Sequence, residues 1–351
     1  MRIAQVAPPL ESVPPTRYGG TERVVATLTD ELVRRGHKVT LFAAGGSRTR
    51  AQLVPVVERP LWHEKRGYEQ LGPFMMIVLG EVLRRIDAFD VVHSHLDYYG
   101  LPLTRCAPSR VVTTMHGRMD LPELEPLYRT FDDAPLVSIS DAQRTPVPGA
   151  NWVATVYNGI ALDEFRFNPR CGKYLAFLGR FSPEKGLDAA IRVAQRAGLP
   201  LRVAGRMPLP YRNDPEVRRD WEHYTDDIEP LLRRRGSRVR MVGEVSGRRK
   251  STFLGGAAAL LFPIRWPEPF GLVMVEALAC GTPVIALRAG SVPEVLADGE
   301  TGFVCDDEDQ MVEAVGRLDR IDRACCRAEA ERRFSPAAMA DRYEAVYAKL
   351  R

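Results

Sequence analysis

The chain of 351 residues lacks several features that would assign a protein to a class at once. It contains no uninterrupted apolar run long enough to span a bilayer, which argues against an integral membrane protein. Its N-terminus, MRIAQVAPPL, leads directly into a predicted strand without the pattern of a secretory signal peptide. Six cysteines occur, none in a Cys-x-x-Cys pair or at the spacing of a zinc site. We therefore expect a cytoplasmic protein with reduced thiols.

A large excess of one charge is also missing. The net charge is +4, so the overall field does not indicate a nucleic-acid partner. Two short basic clusters, Arg233–Arg235 and Arg248–Lys250, are interpreted as solvated helix faces, with an anionic acceptor or a membrane surface as the alternative. The apolar segment Pro73–Ile86 is interpreted as a helix that packs on the core, with an amphipathic surface helix and peripheral membrane contact as the alternative.

What the sequence does contain is an alternation of short apolar runs with helical patterns, which predicts parallel sheets covered by helices. The alternation restarts after a turn-rich stretch at 158–172. We therefore predict an α/β protein of two doubly wound domains, residues 1–165 and 166–335, followed by a helix at 336–350. In such sheets ligands bind at the carboxyl ends of the strands, so polar motifs that follow strands are the candidate site residues.

Two glutamates with seven residues between them, Glu268 and Glu276, form the most informative of these motifs, within PEPFGLVMVEALACGTPVIA. Glu268 lies in a Pro-rich turn, and Glu276 lies about two turns into a predicted helix, Phe270–Ala279, which Gly281 ends. A helix start offers free N–H groups and a partial positive charge to a phosphate, and a carboxylate can accept from both hydroxyls of a ribose. The pair therefore predicts a nucleotide site.

Two glycine-containing loops add to this prediction. In LGRFSPEKG, Arg180 and Lys185 share one loop after a strand, where two cations suit a diphosphate; the alternative is a pair of surface charges with Glu184 as partner. Gly19 and Gly20 open a predicted helix and would let the backbone approach an anion, although such a pair is often an ordinary turn. The pattern is not G-x-G-x-x-G, so a dinucleotide site has little support.

Histidines and acidic residues provide the candidates for catalysis and metal binding. His116 follows a strand and is the preferred catalytic candidate. His93 and His95 alternate as in some metal sites, but Asp97 is their one nearby acidic partner, so a core role is favoured for His93. Asp307–Asp309 is interpreted as the acidic first turn of a helix and not as a metal-nucleotide site.

Taken in order, these segments resemble the retaining glycosyltransferases of family 4, which have the GT-B fold. The resemblance covers nearly the whole chain. Its carriers are Gly19–Glu22, DELVRRGHKVTLFA, DVVHSH, TTMHG, Ser140, YNGI at 157–160, LGRFSPEKG, the glutamate pair and GSVPEVLADGETGFV at 290–304. It implies two Rossmann-like doubly wound domains facing across a cleft, with the final helix crossing back to the N-terminal, acceptor-binding domain.

The resemblance also implies a role for each matching residue. The C-terminal domain would hold a nucleotide-sugar donor, with Arg180 and Lys185 at the diphosphate, Glu276 at the ribose hydroxyls, and Glu268 near the donor sugar or the reacting face. His116 would lie by the donor sugar. Further donor contacts would come from the amides of Phe270, Gly271 and Leu272, from Gly19 and Gly20 of the other domain, and from the base pocket at Val242, Gly243 and Glu244.

The expected activity is transfer of a hexose, with retention, from a UDP- or GDP-sugar to an unidentified saccharide, lipid or small metabolite. UDP-glucose is favoured, although uracil, guanine and adenine remain open. Two cations and helix-end amides would stabilise the leaving diphosphate without a bound metal or other cofactor. No residue is an obvious nucleophile, so we expect a same-face mechanism in which the leaving phosphate helps to deprotonate the acceptor. The alternatives are an epimerase or sugar phosphorylase on the same fold and a non-catalytic binding protein.

The acceptor would be read by the N-terminal domain, in loops after Pro8, near Trp62–Tyr68 and around Met119–Tyr128. Tyr18, Trp62 and Tyr68 could stack on sugar faces, although isolated aromatic residues more often pack in a core.

Overall fold

The structure, a computed structural model, describes residues 1–16, 19–64, 71–208 and 215–350. It divides into two compact units. Unit 1 comprises Met1–Ala161 and Arg333–Arg351, and unit 2 comprises Leu162–Arg332. The domain boundaries expected from the sequence lie a few residues from these. Each unit is an α/β layer structure built on one parallel sheet, which agrees with the predicted fold class.

The strands of the described residues are β1 (Arg2–Val6), β2 (Lys38–Ala44), β3 (Gln52–Val57), β4 (Val91–Ser94), β5 (Val111–Thr114), β6 (Leu136–Ser138), β7 (Trp152–Thr155), β8 (Leu175–Leu178), β9 (Leu201–Ala204), β10 (Val239–Gly243), β11 (Ala259–Phe262), β12 (Val284–Leu287) and β13 (Gly302–Cys305). The α-helices are α1 (Gly20–Arg34), α2 (Leu71–Leu83), α3 (Leu101–Cys106), α4 (Glu125–Thr130), α5 (Leu187–Arg196), α6 (Pro215–His223), α7 (Glu229–Arg233), α8 (Gly247–Gly255), α9 (Leu272–Ala279), α10 (Val292–Val295), α11 (Glu308–Val315), α12 (Arg323–Phe334) and α13 (Pro336–Lys349).

The sheet of unit 1 has the strand order β3-β2-β1-β4-β5-β6-β7 within the described residues, and every pairing is parallel. Its central strands β4 and β5 are buried along their whole length, as is usual for strands of a parallel sheet that is covered on both faces. Strand β3 is absent from the strands predicted from sequence. This strand lies at the edge of the sheet and contains Pro55, which an edge strand tolerates but which weakens the strand pattern.

The sheet of unit 2 has the order β10-β9-β8-β11-β12-β13 and is also parallel. Its edge strand β13, four residues long, was likewise not predicted. Strand β13 packs so closely on β12 that a Cβ added at Gly302 would lie 1.9 Å from the carbonyl oxygen of Val284. Strands β8 and β11 are neighbours in the centre of the sheet, so the loops that follow them meet at the same edge.

Two helix boundaries differ from the sequence prediction. Helix α9 begins at Leu272 and not at Phe270, because Gly271 adopts a left-handed conformation (φ 75°, ψ 62°) and serves as its N-cap. The charged helix expected over 215–235 is divided into α6 and α7 by a π-helical turn at Tyr224–Ile228. A wider turn of this kind inserts one residue into the helical repeat and rotates the face that follows it.

The last helix, α13, belongs to unit 1 although it follows unit 2 in the chain. Ser335 caps its N-terminus, accepting from the amide of Ala338 at 3.1 Å. Arg35, at the end of α1, donates to Asp341 at 2.7 Å and to Glu344 at 2.6 Å. Tyr343 and Tyr347, on the inner face of α13, are fully buried in the core of unit 1.

Helix α2 combines the two interpretations of its apolar sequence. One face packs in the core of unit 1 through Met75, Val78 and Val82. The opposite face leaves Met76 and Ile77 67% and 47% exposed, so the helix is neither wholly internal nor a typical surface helix. Nowhere in the described parts of the chain does a helix combine the length and apolar character needed to cross a membrane.

Candidate functional site

Two loops at the carboxyl edge of the unit 2 sheet bring together the motifs predicted from sequence. The loop after β8 runs from Gly179 to Gly186, and the loop after β11 runs from Pro263 to Gly271. A Cβ at Gly186 would lie 2.1 Å from the carbonyl oxygen of Pro263, and Gly186 also has a left-handed φ of 71°. Glycine at this position therefore allows the two loops to touch and places their polar side chains side by side.

Lys185 and Glu268 meet across this contact. The ammonium of Lys185 donates to Oε2 of Glu268 at 2.6 Å, and the indole N–H of Trp266 donates to the same oxygen at 3.0 Å. The ammonium also lies 5.0 Å from the centre of the Trp266 ring, within the range of a cation–π interaction. Trp266 was not predicted as a site residue, although it stands two residues before Glu268 in the motif.

The loop after β12 fixes the backbone of Glu268. Its carbonyl oxygen accepts from the amide of Ser291 at 3.0 Å. A Cβ at Gly290 would lie 2.4 Å from both the amide nitrogen and the carbonyl oxygen of Glu268. Three adjacent loops of the sheet therefore determine the position of one carboxylate, which is what a site with a defined geometry requires.

Glu276 lies in the second turn of α9, and its partner is Lys250, a residue interpreted from sequence as part of a solvated helix face. Its Oε1 accepts a short hydrogen bond from the ammonium of Lys250, and both side chains are buried. The interpretation of Arg248–Lys250 as a solvated helix face is thus wrong for Lys250, although Arg248 and Arg249 are exposed. Lys250 precedes the buried Phe253 and Leu254 by three and four residues, a spacing that indicates the inner face of α8.

The N-terminus of α9 lies between the two glutamates. Gly271 is its N-cap, and no side chain of the described residues caps it. The partial positive charge and the amides at the end of a helix are suited to an anionic group. Phe270 is buried, so its ring does not line the surface of this site.

Arg180 does not join Lys185 in this structure. Its guanidinium donates to Glu184 at 2.8 Å and lies 3.6 Å from Glu216 and 3.7 Å from Asp220. This is the pairing with Glu184 that the alternative interpretation described. Burial alone would raise the pKa of Glu184, but hydrogen bonds from Ser182 and Arg180 outweigh it and lower the pKa to about 2.

Gly243 and Glu244 lie where β10 ends, at the same edge of the sheet. Gly243 has φ 73°, and its carbonyl oxygen accepts from the amide of Gly205 at 3.1 Å. Glu244 is exposed, with the guanidinium of Arg206 4.0 Å from its carboxylate. The structure therefore places both residues at the end of the outermost strand, two strands away from β8.

The remaining predicted residues, Gly19, Gly20 and His116, belong to unit 1. Gly20 is the first residue of α1, and a Cβ at Gly19 would lie 2.8 Å from Oε2 of Glu22. Burial raises the pKa of Glu22 to about 7. Arg17 and Tyr18, which precede the glycines, lie outside the described residues, as does Tyr68.

His116 ends a chain of hydrogen-bonded side chains that runs through the interior of unit 1. Its backbone amide donates to Asp97 at 2.6 Å, and Nε2 of its ring lies 2.9 Å from Nδ1 of His95. Nε2 of His95 lies 2.8 Å from the amide oxygen of Gln5. Because an amide oxygen only accepts, His95 donates through Nε2 and accepts from His116 through Nδ1. In the neutral state the Nδ1 atom of His116 is therefore the ring's remaining acceptor.

His93 lies beside this chain and is a core residue, as the sequence suggested. Its ring bonds to Tyr347 at 2.8 Å and to Thr114 at 2.7 Å. Burial holds the pKa values of His93 and His95 well below the usual range and lowers that of His116 to about 3. Gln5 and His95, which connect these rings, were not predicted as site residues.

The structure also bears on the acidic segment Asp307–Asp309. Asp307 is the N-cap of α11, and its carboxylate accepts from the amide of Gln310 at 2.8 Å. This confirms the interpretation as a helix start. Within 1–16, 19–64, 71–208 and 215–350, no cluster of three or more histidine, cysteine, aspartate or glutamate side chains is placed to hold a metal ion.

Two family models match the chain, one on each unit. The model described as "Glycosyltransferase Family 4" matches residues 18–164, and the model described as "Glycosyl transferases group 1" matches residues 164–333. Together they cover 18–333, which includes every residue of the predicted site.

Two curated relatives from Mycolicibacterium smegmatis are similar over most of their length. A D-inositol 3-phosphate glycosyltransferase is 28% identical, with 94% of this chain and 86% of the relative covered. A phosphatidyl-myo-inositol mannosyltransferase is 26% identical, with 90% and 84% covered.

Solved structures agree in fold. AviGT4, a glycosyltransferase involved in avilamycin A biosynthesis, is 26% identical and superposes with a TM-score of 0.71, covering 99% of this chain and 97% of the other. Anabaena HepE, solved in complex with UDP-glucose, is 19% identical with a TM-score of 0.72 and covers 99% and 100%. The fold is therefore of the GT-B class, with two Rossmann-like domains, as the sequence predicted.

Proposed function

The chain belongs to the glycosyltransferases of family 4, and on that premise we propose that it transfers a hexose, with retention, from a nucleoside diphosphate sugar to a polyol acceptor. The observation that carries the proposal is the Lys185–Glu268 pair beside the uncapped N-terminus of α9. A cation, a helix end and a carboxylate stand within one loop cluster, where a diphosphate and its sugar need these three groups.

Donor binding on this arrangement is an exchange of partners. The ammonium of Lys185 leaves Glu268 and pairs with the diphosphate, which carries more charge than one carboxylate. Glu268 keeps its hydrogen bond from Trp266 and becomes an acceptor for a hydroxyl of the donor sugar. Arg180 exchanges Glu184 for the diphosphate in the same way. The negative charge that develops on the leaving group is stabilised by these cations and the α9 amides, without a metal ion.

Retention without a covalent intermediate fits the surroundings of Glu268. A nucleophilic carboxylate needs a free oxygen aimed at the reacting carbon, whereas the carboxylate of Glu268 keeps its hydrogen bond from Trp266 and accepts from a hydroxyl of the donor sugar. We therefore favour a same-face reaction. The bond from the sugar to the leaving phosphate breaks, the acceptor oxygen attacks from the same side, and its proton passes to the departing diphosphate.

UDP-glucose is the donor we favour. Its support is the shared fold with HepE, which was solved with UDP-glucose bound. The end of β10, with Gly243 and Glu244, is the proposed pocket for the base. Because this support rests on fold alone, GDP- and ADP-sugars belong in the first assay.

An inositol-based acceptor is favoured by the two relatives, whose names specify inositol 3-phosphate and phosphatidyl-myo-inositol. The exposed face of α2 supports the second of these acceptors. Met76, Ile77 and Leu83 place apolar side chains on the surface of unit 1, and Arg84 and Arg85 follow directly. Apolar side chains next to arginines suit an anionic lipid surface, so we propose a lipid-borne inositol acceptor.

The test is turnover of UDP-glucose, GDP-mannose and ADP-glucose with soluble inositol 3-phosphate or with vesicles that contain phosphatidylinositol. We expect transfer from UDP-glucose to the vesicle-borne acceptor. Lys185→Ala should lower kcat/KM by about 100-fold or more, because it removes a charge that stabilises the leaving group. Lys173→Ala is the matched control: Lys173 is exposed and lies at the opposite end of β8.

Each alternative predicts a different result in the same assay. An epimerase would convert the donor sugar without any acceptor, and a phosphorylase would require inorganic phosphate. A non-catalytic binding protein would bind UDP without transfer or slow hydrolysis. Equal turnover by Lys185→Ala and wild type would contradict the role assigned to the lysine, and transfer to soluble acceptor alone would contradict the lipid-borne one.

A further inference from the structure

The feature that the proposed function leaves unexplained is the buried ion pair between Lys250 of α8 and Glu276 of α9. The exposed fractions of the two side chains are 9% and 6%. Glu276 is the residue expected from the family resemblance to hold the ribose hydroxyls of the donor, so the inference below rests on the proposed function. Lys250 has no role in it.

A lysine at this buried position lowers the stability of the folded state unless its charge has a role toward Glu276. Burial removes several kcal/mol of hydration free energy from an ammonium group, and roughly the same from a carboxylate. The attraction between the two charges seldom more than offsets this combined loss. An apolar residue would pack at this point of α8 at less cost, as Phe253 and Leu254 do on the same face. The pair is therefore poorly explained by stability alone.

The contacts of Lys250 are few and directed at Glu276. Within the described residues its ammonium has one hydrogen-bond partner, Oε1 of Glu276, and it lies 5.4 Å from the centre of the Phe165 ring. Glu276 in turn accepts through Oε1, while Oε2 has no hydrogen-bond partner among those residues. One oxygen of the carboxylate is thus anchored, and the other is left to accept from a ligand.

We propose that Lys250 is a positioning residue for the donor. It supplies the charge that allows an ionised carboxylate to remain at a buried position, and it holds Oε1 so that Oε2 of Glu276 faces the ribose. Glu276 then recognises the ribose diol with one fixed oxygen. Without Lys250 the carboxylate loses its anchor, and it turns toward water or takes up a proton. In either case the selectivity for the ribose hydroxyls is lost while the diphosphate contacts remain.

The test is a cycle that combines a change in the protein with a change in the nucleotide. UDP and 3′-deoxy-UDP are titrated calorimetrically into wild type and into Lys250→Met, which keeps the length of the side chain without its charge. A hydrogen bond to a charged group accounts for about a 10- to 100-fold difference in affinity, so wild type should prefer UDP by that factor. Lys250→Met should prefer it by about threefold or less.

Three further variants separate positioning from general damage. Lys250→Arg keeps the charge and should recover most of the preference for UDP. Arg249→Met, on the exposed face of α8, should behave as wild type. Lys250→Met could be too unstable to titrate because it leaves Glu276 buried without a counter-charge. The double variant Lys250→Met with Glu276→Gln removes both buried charges and should fold. Its preference for UDP over 3′-deoxy-UDP should be weak, as expected of a site without the carboxylate.

The outcomes are distinct. An unchanged preference for UDP in Lys250→Met, or in the double variant, overturns the inference. A wild type that binds none of UDP, GDP and ADP refutes the proposed function instead. A wild type that binds UDP without discriminating against 3′-deoxy-UDP leaves the nucleotide site in place and overturns the role of both Glu276 and Lys250.

Discussion

The stability of unit 1 should depend on pH through its buried histidines, and His95 allows the effect to be isolated. His95 is fully buried and hydrogen bonded to His116 and Gln5. Burial holds its pKa well below the ordinary value of 6.5, so the folded protein keeps the ring neutral while the unfolded chain binds a proton below pH 6.5. The contribution of His95 is therefore fully present above that pH and is lost as the pH falls.

The magnitude follows from proton linkage. Between pH 7.5 and 5.5 a histidine that remains neutral in the folded state lowers the free energy of unfolding by about 1.4 kcal/mol. His93 and His116, which burial also keeps neutral, each add a similar amount, giving about 4.1 kcal/mol for the three. Glu22 acts in the opposite direction: its pKa is raised to about 7 from 4.5, so the folded state binds the proton more tightly and gains about 1.8 kcal/mol over the same range.

Glu22 thus offsets part of the histidine contribution, so the effect of His95 has to be isolated by comparison with a variant. His95→Gln keeps a donor and an acceptor but does not titrate. Its loss of stability between pH 7.5 and 5.5 should be smaller than that of wild type by about 1.4 kcal/mol. The measurement is urea unfolding followed through Trp62 and Trp152 of unit 1, with Trp221 and Trp266 of unit 2 replaced by Phe.

His63→Gln is the control for loss of a histidine, because the side chain of His63 is 47% exposed. Equal pH dependence of wild type and His95→Gln would refute the reasoning. So would a resonance of the His95 ring that titrates near pH 6.5 in the folded protein, since the ring would then reach water without unfolding.

Two more predictions concern the site. Trp266→Phe keeps an aromatic ring beside Lys185 but removes the indole N–H that donates to Glu268. We expect kcat/KM to fall by about 10- to 100-fold. The control is Trp221→Phe in α6, which should leave kcat/KM unchanged. Turnover should survive an excess of chelator, because cations and helix amides supply the charge at the diphosphate; a strict requirement for Mn²⁺ or Mg²⁺ would show that the proposed mechanism lacks a component.

The order of the strands and the positions of the motifs could be read from the sequence because both depend on local pattern. Apolar runs indicated most strands of both sheets, and strand-loop-helix order placed Arg180, Lys185 and Glu268 at one sheet edge. The missed strands had weak patterns: β3 is a proline-containing edge strand, and β13 has four residues beginning with glycine.

The partners of the site residues could not be read in this way. Lys250 and Glu276 are 26 residues apart, and their pairing depends on how α8 and α9 pack. In the sequence Lys250 looks like part of a basic cluster, since charge is visible there and burial is not. Helical spacing to Phe253 was the one local signal. The His95–Gln5 link, 90 residues apart, has no local signal.

The position of α13 has a consequence for synthesis on the ribosome. Unit 2 is continuous in sequence and can fold once residue 332 has emerged. Synthesis of unit 1 begins first, but its folding is completed last. The reason is that His93 and Thr114 form hydrogen bonds with Tyr347 and Tyr343 of α13, which is synthesised after unit 2. Until then the interior of unit 1 holds buried polar groups without their partners. The N-terminal half of the nascent protein therefore stays incomplete, and open to chaperones, throughout the synthesis of unit 2.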